Sequence, residues 1–145
     1  ITLTDIQNEI AKLTPLDGAK EFLDWAGERF QVAIISDTFY EFAGPLMVQL
    51  GDPFLLCHKL IVEDDRVVGY KLRQTDPKRH SVKAFKSLDL RVIAAGDSFN
   101  DVSMLEEADH GIFFQAPENV RAQFPQYPLA ADYTELQALI EQAVG

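Results

Sequence analysis

Arg91-Val92-Ile93-Ala94-Ala95-Gly96-Asp97-Ser98-Phe99-Asn100-Asp101 is the stretch on which the organisation of the chain turns. Its first half is a short apolar run that ends at Gly96. Two carboxylates follow, Asp97 and Asp101, with the Asn100 amide beside the second. A run this short, bounded by glycine and polar residues, reads as a buried parallel strand that releases into a loop. From Asn100 to Glu107 the period becomes helical, with Val102, Leu105 and Ala108 spaced to face inward. Asp97 therefore falls at the carboxyl end of a strand and Asp101 at the start of the next helix. In open α/β sheets the ligand crevice lies outside such strand ends. Two acids there suit a hard cation, because Mg²⁺ takes one or two carboxylates, waters and substrate phosphate oxygens.

The same rhythm of strand and helix extends in both directions. Upstream, Gln31 to Ser36 is a β-branched apolar run ending in a hydroxyl. Asp37 and Thr38 offer a helix start, and Phe42, Leu46, Met47 and Leu50 line a helix that Gly51 stops. Nearer the beginning, Thr4 and Gln7 form a capping box for an amphipathic helix on Ile6, Ile10 and Leu13. After Pro15 and Gly18, the residues Ala19, Phe22, Leu23, Ala26 and Phe30 repeat at helical spacing. Two alternating runs, Leu55 to Glu63 and Arg66 to Leu72, flank Asp64-Asp65 as a β-hairpin. Pro77 opens a helix carrying Val82, Phe85 and Leu88. Downstream come a strand at His110 to Phe114, a Pro-rich connection around Pro125 and Pro128, and a last helix from Thr134 to Val144 on Leu136, Leu139 and Ile140. The alternation predicts an α/β fold: a Rossmann-like parallel sheet with flanking helices and an inserted β-hairpin.

Composition narrows the function classes. The 145 residues are 47% hydrophobic, enough for a folded core. Thirteen basic against twenty-three acidic residues give a net charge of −10, which argues against a nucleic-acid groove or an anionic membrane surface as partner. The single cysteine, Cys57, excludes an internal disulfide and a thiolate metal cage, and fits a reducing, cytoplasmic compartment. No apolar run approaches the roughly 20 residues of a membrane span, and the first residues do not read as a secretory signal.

Polar groups stand where apolar runs end, or where a helix begins, at three places. Ser36 with Asp37 and Thr38 reads either as an anion site at a helix N-terminus or as plain capping. Asp97, Asn100 and Asp101 read either as a metal site or as an Asx-type turn. Lys78, after Pro77, reads locally as a solvated surface lysine. Taken in this order the three become specific.

Ile34-Ile35-Ser36-Asp37-Thr38, then Lys78, then Gly96-Asp97-Ser98-Phe99-Asn100-Asp101 resembles motifs II, III and IV of the haloacid dehalogenase-type phosphatases. Pro15-Leu16 with Gly18-Ala19, the hairpin Lys59 to Glu63 with Val67-Val68-Gly69, and Gly111-Ile112 with Phe114, Ala116 and Pro117 resemble the phosphoserine phosphatase branch. Ser36-Asp37-Thr38-Phe39-Tyr40-Glu41-Phe42 is similar to its ThrH type, known for phosphoserine hydrolysis and for phosphoryl transfer to homoserine. The likeness covers essentially the whole chain, and motif IV is its most specific part. It implies that Ser36 holds a phosphate oxygen through its hydroxyl, with the backbone N–H of Asp37. It implies that Lys78 neutralises the phosphoryl group, Asp97 ligates Mg²⁺, Asn100 orients the phosphate region, and Asp101 completes the acidic site through water or Lys78. Lys83 and Lys86 fall mid-helix, farther from the strand ends. A small phosphorylated amino acid as substrate, a role in serine biosynthesis and a homodimer are compatible with the resemblance. His58, His80 and His110 show no ligand spacing.

One component of that chemistry is not found. The family's nucleophile is the first Asp of an Asp-x-Asp pair that ends an apolar strand, ahead of a helical cap and before motif II. Glu63-Asp64-Asp65 follows motif II, sits at a hairpin tip and offers Glu where Asp is required. The expectation is therefore that residues 1–13 end a helical cap, that residues 14–145 form the phosphatase core without its nucleophile strand, and that the chain is part of a longer protein. Two strands facing that gap would hold unpaired backbone groups at about 1–3 kcal/mol each. The alternative is a non-catalytic α/β module that keeps phosphate or Mg²⁺ affinity.

Overall fold

The alternation of strand and helix is realised in two compact units, Ile1–Thr75 and Asp76–Gly145, in a computed structural model that describes residues 1–145. In the first unit, helices α1 (Leu3–Ile10) and α2 (Ala19–Gly27) precede strand β1 (Ile34–Phe39), helix α3 (Tyr40–Gln49), strand β2 (Leu55–Glu63) and strand β3 (Arg66–Lys71). The sheet order is β1-β2-β3. The β1–β2 pair is parallel, as a connection through α3 requires. The β2–β3 pair is the expected antiparallel hairpin. Its turn residues Asp64 and Asp65 both adopt positive φ, 49° and 60°, the geometry that matches a tight turn to strand twist.

Three local readings are corrected here. The cap of α1 is Thr2, whose side chain accepts from the Asp5 N–H while Asp5 accepts from the Thr2 N–H, so the capping box is Thr2/Asp5 and not Thr4/Gln7. Thr4 instead donates its N–H to Asp65 Oδ1, and Gln7 donates to the Glu41 carbonyl. Helix α1 ends at Ile10, and Leu3 rather than Leu13 is its buried residue. Asp37 and Thr38 do not start a helix; they continue β1, and α3 begins at Tyr40 without a side-chain cap. Gly51, with φ of 85°, follows that helix as expected, because the left-handed turn there costs glycine no Cβ clash.

The second unit holds helix α4 (Pro77–Ser87), strand β4 (Ile93–Gly96), a 3-10 turn (Phe99–Asp101), helix α5 (Val102–Glu107), strand β5 (His110–Phe114), helix α6 (Glu118–Gln123), strand β6 (Leu129–Ala130) and helix α7 (Tyr133–Val144). Its sheet, in the order β4-β5-β6, is parallel throughout. The Pro-rich connection of the sequence contains α6 and the two-residue β6, both too short to carry a periodic signal. Phe113, Leu105, Ile112 and Val82 are almost completely buried and form the centre of this unit, with Val120 and Leu136 around them. Gly111 is required there: a Cβ would come 2.8 Å from Leu105 Cβ and 3.0 Å from Tyr127 Cδ1. Leu88 lies beyond the end of α4 and is exposed, against its expected place on the helix's inner face. No helix in the chain is long and apolar enough to cross a membrane.

Candidate active site

The carboxyl end of β4 leads straight into the site's acids. Gly96 closes the strand, Asp97 and Ser98 follow, and Asp101 ends the 3-10 turn. Asp101 is buried and works with both oxygens. Its Oδ1 lies 2.5 Å from Lys78 Nζ. Its Oδ2 accepts the N–H of Asp97 at 2.8 Å, the N–H of Ser98 at 3.1 Å and the Ser98 hydroxyl at 3.3 Å. Ser98 returns the favour by capping the Asp101 N–H, a reciprocal Ser-x-x-Asp box that the sequence displays openly and that the reading above passed over. The close turn explains Gly96, because a Cβ there would stand 2.6 Å from Asp101 Cγ and 2.7 Å from its Oδ2.

Lys78 is the second residue of α4, after Pro77 in the first helical position. It is only 9% exposed, so the local reading of a solvated surface lysine is corrected: its ammonium is folded inward onto Asp101. Lys83 and Lys86 are exposed on the same helix, and Lys86 donates to the Glu107 carbonyl.

The two carboxylates are driven apart electrostatically. Burial opposes ionisation of Asp101. The Lys78 ammonium and the backbone N–H groups of Asp97 and Ser98 outweigh it, and hold its carboxyl below the usual carboxylate range. Asp97 is exposed; the partial shielding of its carboxyl comes first and the neighbouring Asp101 carboxylate adds to it, so it is pushed up, with the Lys78 ammonium opposing the rise. Asp101 is thus the acid that Lys78 holds directly, and Asp97 the one that faces solvent. The exposed Asp97 carboxylate is of the type Mg²⁺ takes, since that ion uses one or two carboxylates and completes its shell with water and substrate oxygens. Asn100 is exposed within the 3-10 turn.

Ser36 and Asp37 belong to the first unit, where both lie in β1. Ser36 Oγ accepts the Thr38 N–H at 3.3 Å, so the hydroxyl is placed by its own strand and not by a helix N-terminus. The register of β1 on β2 shifts between Ile35 and Phe39, the irregularity that accompanies this local bond. Asp37 Oδ1 stands 3.7 Å from Nε2 of the buried His58. His58 Nδ1 accepts the Arg73 N–H at 2.8 Å, which in the neutral ring leaves the proton on Nε2, facing Asp37. His58 therefore has both ring nitrogens directed within the fold, in keeping with the structural role that its lack of ligand spacing predicts. Of the six candidate residues, Lys78, Asp97 and Asp101 are joined by direct hydrogen bonds.

A family model described as haloacid dehalogenase-like hydrolase matches residues 3–109. This chain belongs to the haloacid dehalogenase-like hydrolase family. Among relatives of this chain, "Phosphoserine phosphatase ThrH" of Pseudomonas aeruginosa is 65% identical over 138 residues, 94% of this chain and 67% of the relative. "Phosphoserine phosphatase" of Pseudomonas syringae pv. tomato is 62% identical over 138 residues, 94% of this chain and 58% of the relative. The chain therefore spans about three-fifths to two-thirds of the length of these curated relatives. Among solved structures, phosphoserine phosphatase from T. onnurineus in complex with NDSB-201 superposes with a TM-score of 0.74 at 30% identity, over 97% of this chain and 66% of that one.

Proposed function

We propose that the whole protein is a Mg²⁺-dependent phosphomonoesterase that hydrolyses phosphoserine to serine, and that homoserine can take the phosphoryl group in place of water. The single observation that carries this reading is the buried Lys78–Asp101 pair with Asp97 alongside. A lysine held by its acid and a second carboxylate facing solvent, side by side, are what phosphoryl transfer asks of a protein, since that chemistry is mainly positioning and charge compensation. The 65% identity to a protein named phosphoserine phosphatase ThrH supports the substrate.

In this reading Lys78 presents its ammonium to the phosphoryl oxygens, and Asp101 holds that ammonium in place. Asp97 would hold Mg²⁺, which when bound supplies charge neutralisation at the phosphate. Ser36, through its hydroxyl, and the Asp37 N–H bind a phosphate oxygen, and Asn100 orients the phosphate region. No Asp-x-Asp pair occurs in residues 1–145, so the nucleophile is the component these residues leave unassigned. Residues 1–13 are read as the end of a helical cap and 14–145 as the core. The enzyme would work in the cytoplasm.

The test is a phosphatase assay on the whole protein with phosphoserine, with and without homoserine. Phosphoserine turnover that rises with Mg²⁺ and drops by at least about 100-fold in Asp97→Asn is expected. Near-parental rates in Asp97→Asn at saturating Mg²⁺ would remove Asp97 from the metal site. Phosphate binding without any turnover would favour the non-catalytic module instead.

A further inference from the structure

We infer that Asp76 and Ser103 form a brace that positions Lys78 against Asp101, so that Asp76 is a positioning residue for the reaction proposed above, on which this inference rests. Asp76 precedes α4 and is its N-cap, with φ 48° and ψ 57°. That left-handed conformation is uncommon outside glycine and best tolerated by Asn and Asp. A capping aspartate ordinarily turns its carboxylate onto the N–H groups of its own first turn. Asp76 keeps an interaction with the backbone N–H of Arg79 in that first turn, and its strongest partner lies on another helix. Its Oδ1 accepts the hydroxyl of Ser103 on α5 at 2.9 Å, while Oδ2 lies 3.3 Å from Arg79 Nε.

The spacing gives this bond its meaning. Asp76 stands two residues before Lys78, and Ser103 two residues after Asp101. The two chains that carry the ion pair are thus tied a second time, one step outside it. Arg79 extends the tie, donating to Glu106 of α5 at 2.9 Å. A lysine stem has four rotatable carbons, so contacts made at its tip leave the path of its helix free. The brace sets the distance between α4 and the acid turn, and that distance decides where the ammonium sits. Displacements of about 1 Å in such a group cost on the order of 100-fold in rate.

Steady-state kinetics of the whole protein with phosphoserine, together with Tm, test the brace through three variants. Asp76→Gly accepts the left-handed backbone but loses the carboxylate; Asp76→Asn keeps both the conformation and an acceptor for Ser103; Ser103→Ala removes one hydroxyl. The expectation is that Asp76→Gly and Ser103→Ala each lower kcat by about 10-fold with KM within about threefold, and that Asp76→Asn stays within about threefold of the parent in both. The double variant Asp76→Gly/Ser103→Ala should fall no further than the worse single one, because both remove one interaction. A merely structural role predicts a lower Tm with kcat intact below it, and that result overturns the brace. So do additive losses, or an Asp76→Asn that falls as far as Asp76→Gly. If Asp76→Gly does not fold, Ser103→Ala decides alone. Lys78→Ala, run alongside, separates the two readings: parental turnover there overturns the role of Lys78 and the brace with it, whereas a dead Lys78→Ala with a parental Ser103→Ala overturns the brace only.

Discussion

Lys78 Nζ and Asp101 Oδ1 are 2.5 Å apart in a buried pair, and the other oxygen of the same carboxylate receives the N–H groups of Asp97 and Ser98. One side chain thereby holds the ammonium and shapes the turn that presents Asp97.

The two halves of the pair should not be equivalent in stability. Lys78→Met leaves Asp101 with three donors and should cost about 1–3 kcal/mol. Asp101→Ala removes the carboxylate from the buried ammonium and from two backbone N–H groups at once, and should cost about 3–5 kcal/mol. Urea unfolding measures both, and a loss in Asp101→Ala no larger than in Lys78→Met would deny Asp101 its central place.

Acid should destabilise the protein through Asp101. Its folded carboxyl titrates below the ordinary range, so the ionised form is the stabilised one. That contribution is complete at pH values above the ordinary carboxylate range and is lost as pH falls through the depressed folded value. Stability of Asp101→Asn relative to the parent, followed from neutral pH downward, should show the deficit shrinking below about pH 4. A constant deficit across that window would show that the charge is not what matters.

Asp97 has the opposite sign. Partial shielding and the Asp101 carboxylate push its carboxyl up, so its ionised form is the disfavoured one at neutral pH, by an amount that solvent around this exposed side chain reduces. Asp97→Asn should raise Tm in chelator while lowering turnover by orders of magnitude, the trade between stability and activity expected at a functional charge. A lower Tm in chelator would mean that Asp97 is held by contacts the structure does not contain.

Gly96→Ala tests the tightness of the turn. Its Cβ would fall 2.6 Å from Asp101 Cγ, so either the strand end or the carboxylate must move. Overpacking of this kind costs about 1–3 kcal/mol, and displacement of Asp101 should also reduce kcat. Parental kcat in a stable Gly96→Ala protein would show that Asp101 can shift without consequence.

Cys57 should be inert in the native state. It is 2% exposed, and burial pushes its thiol up to about 11, with Glu41 adding to the rise and Arg73 opposing it. Alkylation at about pH 8 should therefore proceed only as fast as the protein opens, because the thiolate is the reactive form. Rapid modification of folded protein would contradict this burial.

Much of the architecture was legible because periodicity survives without tertiary context. The hairpin at Asp64-Asp65, strand β5 and the start of α4 at Pro77 each carry a strong local signature. The misplaced elements had weak or duplicated signals. Thr2/Asp5 and Thr4/Gln7 are equally good capping boxes as strings, and only the contact of Thr4 with Asp65 distinguishes them. Helix α6 and strand β6 are shorter than one or two periods, and proline punctuation concealed both.

The acids and the serine stand out by position, because strand ends in an α/β chain are where polar groups gather, whereas Lys78 reads locally as a solvated lysine and stands out only through the order of the motifs. Which of them answers to which does not stand out. That Lys78 is buried, that Asp101 rather than Asp97 receives it, and that Asp76 reaches across to Ser103 depend on two helices approaching within hydrogen-bond distance. Sequence spacing sets directions along one element. The pairing of charges between elements, here the buried Lys78 with Asp101, arises only when packing removes water from between them.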